Sequence, residues 1–400
     1  MQKTLIGFWF LPKKALKILC SGLLICNVVA CQKDSQPTGT TGIPIFKPVS
    51  FSHLADWNNE DFSAIIPVFA QNCSQILKNK NTYFTAGDLQ IKTADMQQKC
   101  LLFSAQNIKT SAAMKKFMET EFVPYSVTDN GIAEGKFTSY YEAVIHASYR
   151  KDAKYRYPVY GKPQDLVEIN LRDFDAELPN TRLVGRIENG RFVPYYDRRN
   201  IETNGINAPV LMWGDDLVDI HFMQIQGSAI AQMSDGTEVR IGFAESNGRK
   251  FKGIGSILIE KGYIKSGELS MQKIREWLRA NPEKAQDLLA ENERFIFQRL
   301  TNAEGPVGAY GIALTAGRSL AVDTRYIPLG TMLWLDTTAP DKRNIRKIVF
   351  AQDIGSAIKG IVRGDYFWGH GEAALEYAGK MNSAGKYFLL LPKETILKAK

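Results

Sequence analysis

Residues 351–374 read AQDIGSAIKGIVRGDYFWGHGEAA and form the densest run of potentially functional residues in the chain. Two aspartates, Asp353 and Asp365, stand twelve positions apart in this run, which also contains five glycines. Three aromatic residues follow the second aspartate directly, namely Tyr366, Phe367 and Trp368.

The chemistry of this run favours a carbohydrate site. Glycine lets the backbone approach a ligand closely, and aromatic faces stack on sugar rings while excluding water. A carboxyl group surrounded by such rings has a raised pKa, which suits a general acid that must hold its proton near neutral pH. We therefore expect Asp365 to be catalytic, with Asp353 in a supporting role. The alternative is structural, because aspartate beside glycine is common in turns and the three rings could belong to the core.

Two further clusters carry the residue types of a sugar-binding groove. The run FTSYYEAVIHAS contains Tyr140, Tyr141 and Glu142, and the run HFMQIQGSA contains Gln226 and Gly227. Phenol and amide groups beside aromatic rings suit a ligand that offers many hydroxyls and one apolar face. A strand with a Gln-x-Gln pattern also has a simpler explanation, which is hydrogen bonding at a sheet edge.

Other classes of site lack their motifs. The sequence has no phosphate loop, no Gly-x-Ser-x-Gly elbow and no Gly-x-Gly-x-x-Gly dinucleotide fingerprint. Its four histidines show no metal-ligand spacing, and no motif indicates a cofactor. Serine or cysteine nucleophiles lack a partner base, so carboxylates remain. Among these, Asp323 is interpreted as structural, because an aspartate at a strand end commonly organises the following turn.

Hydrophobic spacing predicts a mainly β protein with helical segments. Residues 56–122 show helical spacing, whereas short alternating runs between Gly, Pro, Asn and Asp indicate strands from residue 131 onward. A helical interlude at 267–300 is broken at Asn281-Pro282. Further strands are predicted at 311–314, 319–322, 331–335, 348–351 and 386–391, with one helix at 371–381.

Residues 1–30 have the layout of an export signal. Four lysines accompany an apolar run at 18–30, which is shorter than the ~20 residues that a membrane-spanning helix needs. The run ends in VVAC and resembles a bacterial lipoprotein signal, in which Cys31 would carry the lipid; an incidental cysteine is the alternative. Gln32 after the cysteine favours the outer membrane. The polar residues 31–50, rich in Thr, Gly and Pro, are predicted to be a flexible tether.

Composition sets broader limits. With 400 residues, 44% of them hydrophobic, the chain is long enough for two domains. Its formal net charge of +8 falls to +4 without the four signal lysines, which is no nucleic-acid signature but suits an anionic cell-wall polymer. Cys73 and Cys100 remain once the signal cysteines and Cys31 are set aside. In an oxidising compartment they form either a disulfide or two buried thiols.

Taken together, these runs resemble the membrane-bound lytic murein transglycosylase A family. The matching segments follow the family order across about residues 120–392 and read FVPY, FTSYYEAVIHAS, PVYGKP, IQGSA, AVDTRYIPLGT, QDIGSAIKGIVRGDYFWGHG and AGKM. The chain departs from the family at Ser139, Ala143 and Ser356, where Gly, Pro and Gly are usual. None of these departures changes Asp365.

The resemblance implies a fold with an inserted domain. A double-psi β-barrel domain would be built from residues 51–149, whose first part is helical, and from residues 298–400. Residues 150–297 would form a smaller β-rich domain inserted into it. The substrate groove would lie between the two domains.

The resemblance also implies a reaction. Asp365 would protonate the oxygen that links N-acetylmuramic acid to N-acetylglucosamine in peptidoglycan and would then deprotonate the muramyl C6 hydroxyl, which attacks C1. The product would end in 1,6-anhydromuramic acid, and no water, metal or cofactor would be consumed or required. The enzyme would be lipid-anchored at the periplasmic face of the outer membrane of a Gram-negative bacterium. The substrate-binding residues would be Tyr140, Tyr141, Glu142, Gln226, Gly227, Tyr366, Phe367 and Trp368.

Two other functions fit the same residues. An inverting glycoside hydrolase would use Asp365 as the acid and Asp353 as the base that activates water, with the two carboxyl groups roughly 6.5 to 9.5 Å apart. A lipoprotein that binds peptidoglycan without catalysis would keep the aromatic groove and would tolerate the loss of Asp365. No protein partner is indicated by any motif.

Overall fold

The structure is a computed structural model that describes residues 42–395 and residue 397. The expected signal at 1–30 and the lipidation site Cys31 lie outside the described residues. Where the tether was expected to continue, the strand Pro44–Pro48 pairs antiparallel with the strand Phe122–Asp129. Proline at both ends suits such an edge strand, because proline lacks the N–H that an inner strand donates. The tether prediction is therefore wrong for this part of the chain.

The described residues contain nine α-helices and eighteen strands, which confirms a mixed, β-rich fold. The helices are Phe62–Ile76 (α1), Thr93–Ala105 (α2), Ser111–Glu121 (α3), Arg198–Asn204 (α4), Leu217–Gln226 (α5), Ile254–Glu260 (α6), Met271–Ala280 (α7), Pro282–Ala290 (α8) and Gly371–Ala378 (α9). The strands are Pro44–Pro48 (β1), Tyr83–Ala86 (β2), Leu89–Lys92 (β3), Phe122–Asp129 (β4), Gly135–Ser148 (β5), Tyr157–Tyr160 (β6), Val167–Asn170 (β7), Arg182–Glu188 (β8), Arg191–Pro194 (β9), Val210–Gly214 (β10), Ser228–Met233 (β11), Glu238–Ser246 (β12), Ile296–Thr301 (β13), Ser319–Val322 (β14), Met332–Thr338 (β15), Asn344–Asp353 (β16), Arg363–His370 (β17) and Asn382–Pro392 (β18).

Thirteen of these strands form one sheet, in the order β1-β4-β18-β15-β16-β14-β17-β5-β11-β12-β13, with β10 and β6 paired beside β5. Strand β18 pairs with β15 and also with β5. The pairings therefore form a closed circuit through β18, β15, β16, β14, β17 and β5. The short strand β14 is buried along its whole length and lies between β16, to which it is parallel, and β17, to which it is antiparallel.

The predicted helical segment at 56–122 is confirmed by α1, α2 and α3, of which α1 contacts both of the others. The side chain of Asp61 begins α1 by accepting the backbone N–H groups of Ser63 and Ala64. The hairpin β2–β3 between α1 and α2 was not predicted. Each of its strands has four residues with alternate side chains buried, and this pattern is too short to stand out in the sequence.

Later predictions were partly wrong. The run from His221 to Gln226, interpreted as a strand, belongs to helix α5, which begins after the capping residue Asp216 and ends at Gly227 in the left-handed conformation. Most residues of α5 are buried, which hides its helical period. The strand expected at 311–314 is reduced to one isolated bridge. The interlude at 267–300 is confirmed by α7 and α8, but its end is strand β13.

The buried apolar residues divide into separate clusters. The largest draws its buried members from residues 54–137 and 320–391 and includes the fully buried Trp334, which packs edge-on against Trp57. Smaller clusters lie among α5 to α8 and around Tyr195 and Phe297. Within residues 42–395 and 397, no helix is long and apolar enough to cross a bilayer.

Cys73 in α1 and Cys100 in α2 form a disulfide, with their Cα atoms 5.4 Å apart. Both side chains are buried in the main cluster. Of the two alternatives left open by the sequence, the disulfide is therefore confirmed, and it links two helices of the N-terminal segment.

We expect the double variant Cys73→Ala, Cys100→Ala to unfold with a free energy lower by about 3 kcal/mol, because the bond joins residues 27 positions apart and restricts the unfolded chain. Denaturant titration with and without a reductant measures the effect. Reductant should lower the free energy of unfolding of the wild type to nearly that of the variant and should not change that of the variant. Equal stability of the oxidised wild type and the variant would contradict the expected contribution.

Candidate active site

The two aspartates of the 351–374 run occupy one row of the sheet. Asp365 on β17 lies beside Thr138 on β5 and Ala321 on β14, and Ala321 in turn lies beside Asp353 on β16. Neighbouring strands are about 4.8 Å apart, so the Cα atoms of the two aspartates are separated by about 10 Å. Side chains of residues paired in this way point to the same face of the sheet. The small Ala321 therefore leaves space between two carboxyl groups.

Asp365 accepts its hydrogen bond from the hydroxyl of Thr138. The Nη2 atom of Arg363 donates to the same Thr138 oxygen at 2.7 Å. Because that oxygen already accepts a hydrogen bond from the guanidinium group, its own hydrogen is free to point at the carboxyl group. Burial raises the pKa of Asp365, although the Thr138 hydroxyl and the charge of Arg363 act in the opposite direction.

Asp353 is held mainly by backbone N–H groups, with the hydroxyl of Tyr140 facing it. The N–H of Ala309 donates to its carboxyl group at 3.0 Å. Burial raises the pKa of Asp353 to about 6, while the backbone groups of Ala309 and Ile354 lower it. Gly308 brings this loop close to β16, since a side chain there would clash with the carbonyl oxygen of Gln352. A glycine is thus needed to deliver the neighbouring N–H to Asp353.

The side chain of Tyr140 places a hydroxyl group near the two aspartates, at the wall of the cleft. Its ring packs against Phe367, with centroids 5.1 Å apart. Burial, together with the negative charge of Asp353, raises its pKa well above the usual value. The hydroxyl faces Asp353, whose charge and hydrogen-bonding capacity both raise its pKa, but it completes no hydrogen bond of regular geometry within the described residues. It is therefore free to bind a hydroxyl or amide of a ligand.

A cleft of about 680 Å³ opens above this row. Its lining includes Asp353, Asp365 and Tyr140 together with Gln226 and Gly227 at the end of α5. The Oε1 atom of Gln226 accepts the backbone N–H of Tyr141 at 3.2 Å, which fixes the amide, while its NH₂ group donates to no residue that the structure describes. A cleft of this size, with many polar side chains on a partly apolar wall, is suited to a chain of sugar rings.

Two predicted binding residues lie outside the cleft lining. Glu142 is 1% exposed and pairs with Arg240, whose Nε atom donates to it at 2.9 Å. Tyr141 is buried, and its hydroxyl accepts from Arg275 at 3.1 Å. Neither side chain therefore lines the cleft. Tyr141 follows Tyr140 on the strand and points to its opposite face, and the carboxyl group of Glu142 is engaged in an ion pair.

The aromatic residues after Asp365 are also core residues rather than cleft lining. Tyr366 points to the opposite face of β17 and donates its hydroxyl to the carbonyl of Gly317 at 3.1 Å. Trp368 stacks on Tyr377, and Phe367 supports Tyr140 from below. None of the three side chains is part of the cleft lining.

Asp323, interpreted as structural, accepts the backbone N–H of Arg325 at 3.1 Å and that of Gly360 at 2.9 Å. It is buried and does not line the cleft. Its role in organising the turn is therefore confirmed. In the part of the chain that the structure describes, no group of three or more His, Cys, Asp or Glu side chains is arranged to hold a metal ion.

Several lining residues were missed by the sequence analysis. The hydroxyl of Thr138 and the guanidinium of Arg363 lie close to predicted residues in the sequence, so their proximity was a usable signal. No local sequence signal pointed to the backbone N–H of Ala309 or to the side chains of Arg294 and Arg299, because their positions depend on how distant strands pair.

Two protein-family models match the chain. The MltA specific insert domain matches residues 136–299, and the 3D domain matches residues 318–391. Tyr140 and Gln226 fall within the first match, and Asp353 and Asp365 within the second.

Known proteins and structures extend this similarity. Membrane-bound lytic murein transglycosylase A of Escherichia coli (strain K12) is 28% identical over 263 residues, which are 64% of this chain and 65% of that protein. The alignment thus spans slightly less than two thirds of the curated relative. A crystal structure of MltA from Neisseria gonorrhoeae is 32% identical, with a TM-score of 0.76, over 89% of this chain and 95% of that chain. The structure of E. coli MltA with bound chitohexaose shares the fold, at 22% identity and a TM-score of 0.62, over 82% of this chain and 90% of that chain.

The fold is accordingly MltA-like, and the similarity to the Neisseria gonorrhoeae protein extends over nearly the whole length of that chain. The order of the matching segments, the two domain models and the row of aspartates agree with one another. The chain therefore belongs to the MltA family of membrane-bound lytic murein transglycosylases.

Proposed function

We propose that this protein is a lytic transglycosylase that cleaves the β-1,4 bond between N-acetylmuramic acid and N-acetylglucosamine in peptidoglycan. The observation that carries the proposal is Asp365, a partly buried carboxyl group whose pKa is raised by desolvation, on the floor of a cleft large enough for a glycan strand. Membership of the MltA family supports the same substrate. Filling the cleft with glycan would remove the remaining water and raise the pKa of Asp365 further.

The reaction can be written with one acid/base group. Asp365 donates its proton to the glycosidic oxygen while the bond from muramyl C1 to that oxygen breaks. The resulting carboxylate then takes the proton of the muramyl C6 hydroxyl, whose oxygen bonds to C1. The proton lost in the first step is regained in the second, and no water enters. The hydroxyl of Thr138 suits both steps, since it can hold the carboxyl group in one orientation while its charge changes.

The other groups of the row have supporting roles in this proposal. With a pKa of about 6, Asp353 carries a negative charge at neutral pH and would stabilise the positive charge that develops at C1. The free hydroxyl of Tyr140 and the free NH₂ of Gln226 would bind substituents of the sugar rings. E. coli MltA, which shares the fold, has been solved with bound chitohexaose.

The fold itself is proposed to be a double-psi β-barrel with an inserted domain. The closed circuit of six strands supports the barrel. The division of the core supports the insertion, since the largest cluster combines residues from before 138 with residues after 319, whereas two smaller clusters lie wholly between these segments. On this basis residues 51–149 and 298–400 form the barrel domain and residues 150–297 the inserted one.

The location is proposed from the N-terminal sequence. An export signal that ends at Cys31 would send the protein to the periplasm and attach lipid to that residue. Curated relatives are described as membrane-bound. Several acyl chains, each contributing ~0.8 kcal/mol per buried methylene, would hold the protein at the outer membrane near its substrate.

We expect residues 32–400 to release muropeptides with 1,6-anhydromuramic ends from purified peptidoglycan, and the Asp365→Asn variant to lose at least 10²-fold in rate, which is a typical contribution of a general acid. Mass spectrometry identifies the ends, because they are one water lighter than hydrolytic products. The control is Asp235→Asn, in an exposed turn outside the cleft, which should retain full activity. Hydrated reducing ends would point instead to an inverting hydrolase that uses Asp353 as the base, and undiminished binding without any release would point to a binding protein.

We expect Asp353→Asn to raise the free energy of unfolding at about pH 7 by on the order of 2 kcal/mol. The unfolded carboxyl ionises near its ordinary pKa of 3.8, whereas the folded one resists ionisation up to a pKa of about 6. The gain should therefore shrink as the pH falls through 6 and vanish below 3.8, where both states are protonated. Urea unfolding of the two proteins over this pH range provides the test. A gain that is the same at every pH would show that packing, not ionisation, is responsible.

We expect the full chain to incorporate a palmitate analogue in bacteria, and Cys31→Ala to abolish this labelling and release the protein from membranes. Cys20→Ala, within the signal, is the matched control and should be labelled normally. Fractionation and click detection measure both effects. Persistent labelling of Cys31→Ala would remove the lipid anchor from the account.

A further inference from the structure

The cleft wall formed by β13 and the residues before it carries two arginines that have no ion-pair partner within the described residues. Arg294 and Arg299 both line the cleft. Arg198, the other arginine on this side, is buried and pairs with Glu202, whose Oε1 atom lies 2.8 Å away. Two positive charges therefore remain uncompensated at the surface of the cleft.

The surroundings of Arg294 make its unpaired positive charge energetically unfavourable. Burial lowers its pKa, which means that the charged form is poorly hydrated, and Arg182 lowers it further while Glu245 raises it. Only its Nη1 atom donates within the described residues, to the carbonyl of Arg249 at 3.2 Å. A desolvated guanidinium without an acidic partner is expensive unless an anion binds it.

Arg299 is oriented in a way that suits an anion. Its Nε atom donates to the carbonyl of Phe243 at 3.1 Å, whereas its two terminal nitrogens donate to no residue that the structure describes. Two parallel N–H groups match the two oxygens of a carboxylate. Gly242, which pairs with Arg299 on one side and Ser228 on the other, leaves the sheet surface between them free of a side chain.

Phe243 adds an apolar surface at the same place. Its side chain is 44% exposed and lines the cleft beside the arginine that its carbonyl holds. Aromatic rings of this kind stack on the apolar face of a sugar. The wall therefore combines a surface for a sugar ring with donors for an acidic group attached to that ring.

We propose that Arg294 and Arg299 form a carboxylate-binding subsite, which recognises the acidic side arm of a muramic acid residue. This inference rests on the proposed function, since it names the part of the glycan that the cleft distinguishes. The carboxylate has two possible sources, the lactyl group of a strand without peptides or the peptide attached to that group. Neutral chitin-type chains lack both sources and would gain nothing from the two arginines.

The test is a binding measurement in the Asp365→Asn background of residues 32–400, so that no probe is consumed. Three probes of equal length are titrated calorimetrically: chitohexaose, a glycan strand without peptides, and a glycan strand with peptides. Arg299→Gln and Arg294→Gln should each weaken binding of a carboxylate-bearing probe about tenfold, as expected for the loss of a charge-assisted hydrogen bond. Binding of chitohexaose should stay within about twofold, because it engages no carboxylate donors.

The pattern of losses identifies the source of the carboxylate. Weaker binding of the peptide-free probe alone assigns the subsite to the lactyl carboxylate, which is an amide wherever a peptide is attached. Weaker binding of the peptide-bearing probe alone assigns it to the peptide, and weaker binding of both shows that either carboxylate is accepted. Arg299→Lys should lose part of the affinity, since it keeps the charge but not the fork. Arg191→Gln is the matched control, because Arg191 is exposed and lies outside the cleft.

Two results would overturn the inference. Equal losses on chitohexaose would show that the arginines only maintain the wall, and unchanged binding of all probes would show that they contact no substrate. Turnover of peptidoglycan by the wild type is measured separately. If the wild type turns over peptidoglycan but the arginine variants bind all probes as the wild type does, only the subsite is rejected. If the arginine substitutions weaken binding of acidic probes but the wild type shows no turnover, the proposed catalysis is rejected and the subsite is retained.

Discussion

Strand β14 lies between β16 and β17, and this pairing places a carboxyl group on each side of Ala321. The arrangement sets the distance between the acids, the face on which they point and the space between them. It also requires a surrounding that tolerates two partly buried acidic groups in one row of the sheet. Much of the molecule can be understood as the structure that keeps these strands in register.

The N-terminal helices contribute to that register from far away in the sequence. Asn72 in α1 donates to the carbonyl of Gly330 at 2.8 Å. The buried amide of Gln352, next to Asp353, accepts the hydroxyl of Ser319 on β14 at 2.6 Å. The disulfide between α1 and α2 stiffens the same helical layer. The helices therefore support the strands that carry the acids and are not an appendage to the sheet.

The two acids receive different support. Asp353 takes backbone N–H groups, which can be delivered only where Gly308 allows the loop to approach. Asp365 takes a hydroxyl whose direction is set by a neighbouring arginine. A backbone N–H can only donate a hydrogen bond, whereas a hydroxyl can both donate and accept one. The hydroxyl can therefore reorient when the carboxyl group gains or loses a proton. This difference fits a fixed charge at one position and a proton-transferring group at the other.

The sequence by itself determined the elements and the chemical class of the site. Helical spacing, the Asn281-Pro282 break and the glycine-rich run with its two aspartates were readable, because these signals are local and act over a few neighbouring residues. Helix α5 was not predicted, since most of its residues are buried and its helical period is hidden.

Which residues face the cleft was decided by tertiary structure alone. Three predicted residues are engaged elsewhere: Tyr141 in a hydrogen bond, Glu142 in an ion pair and Trp368 in ring stacking. Three residues that were not predicted line the cleft because strands distant in sequence pair with one another, namely Thr138, Arg294 and Arg299. The physical reason is that a side chain's direction and remaining hydrogen-bonding capacity depend on register and on partners elsewhere in the chain, and neither is written in the local sequence.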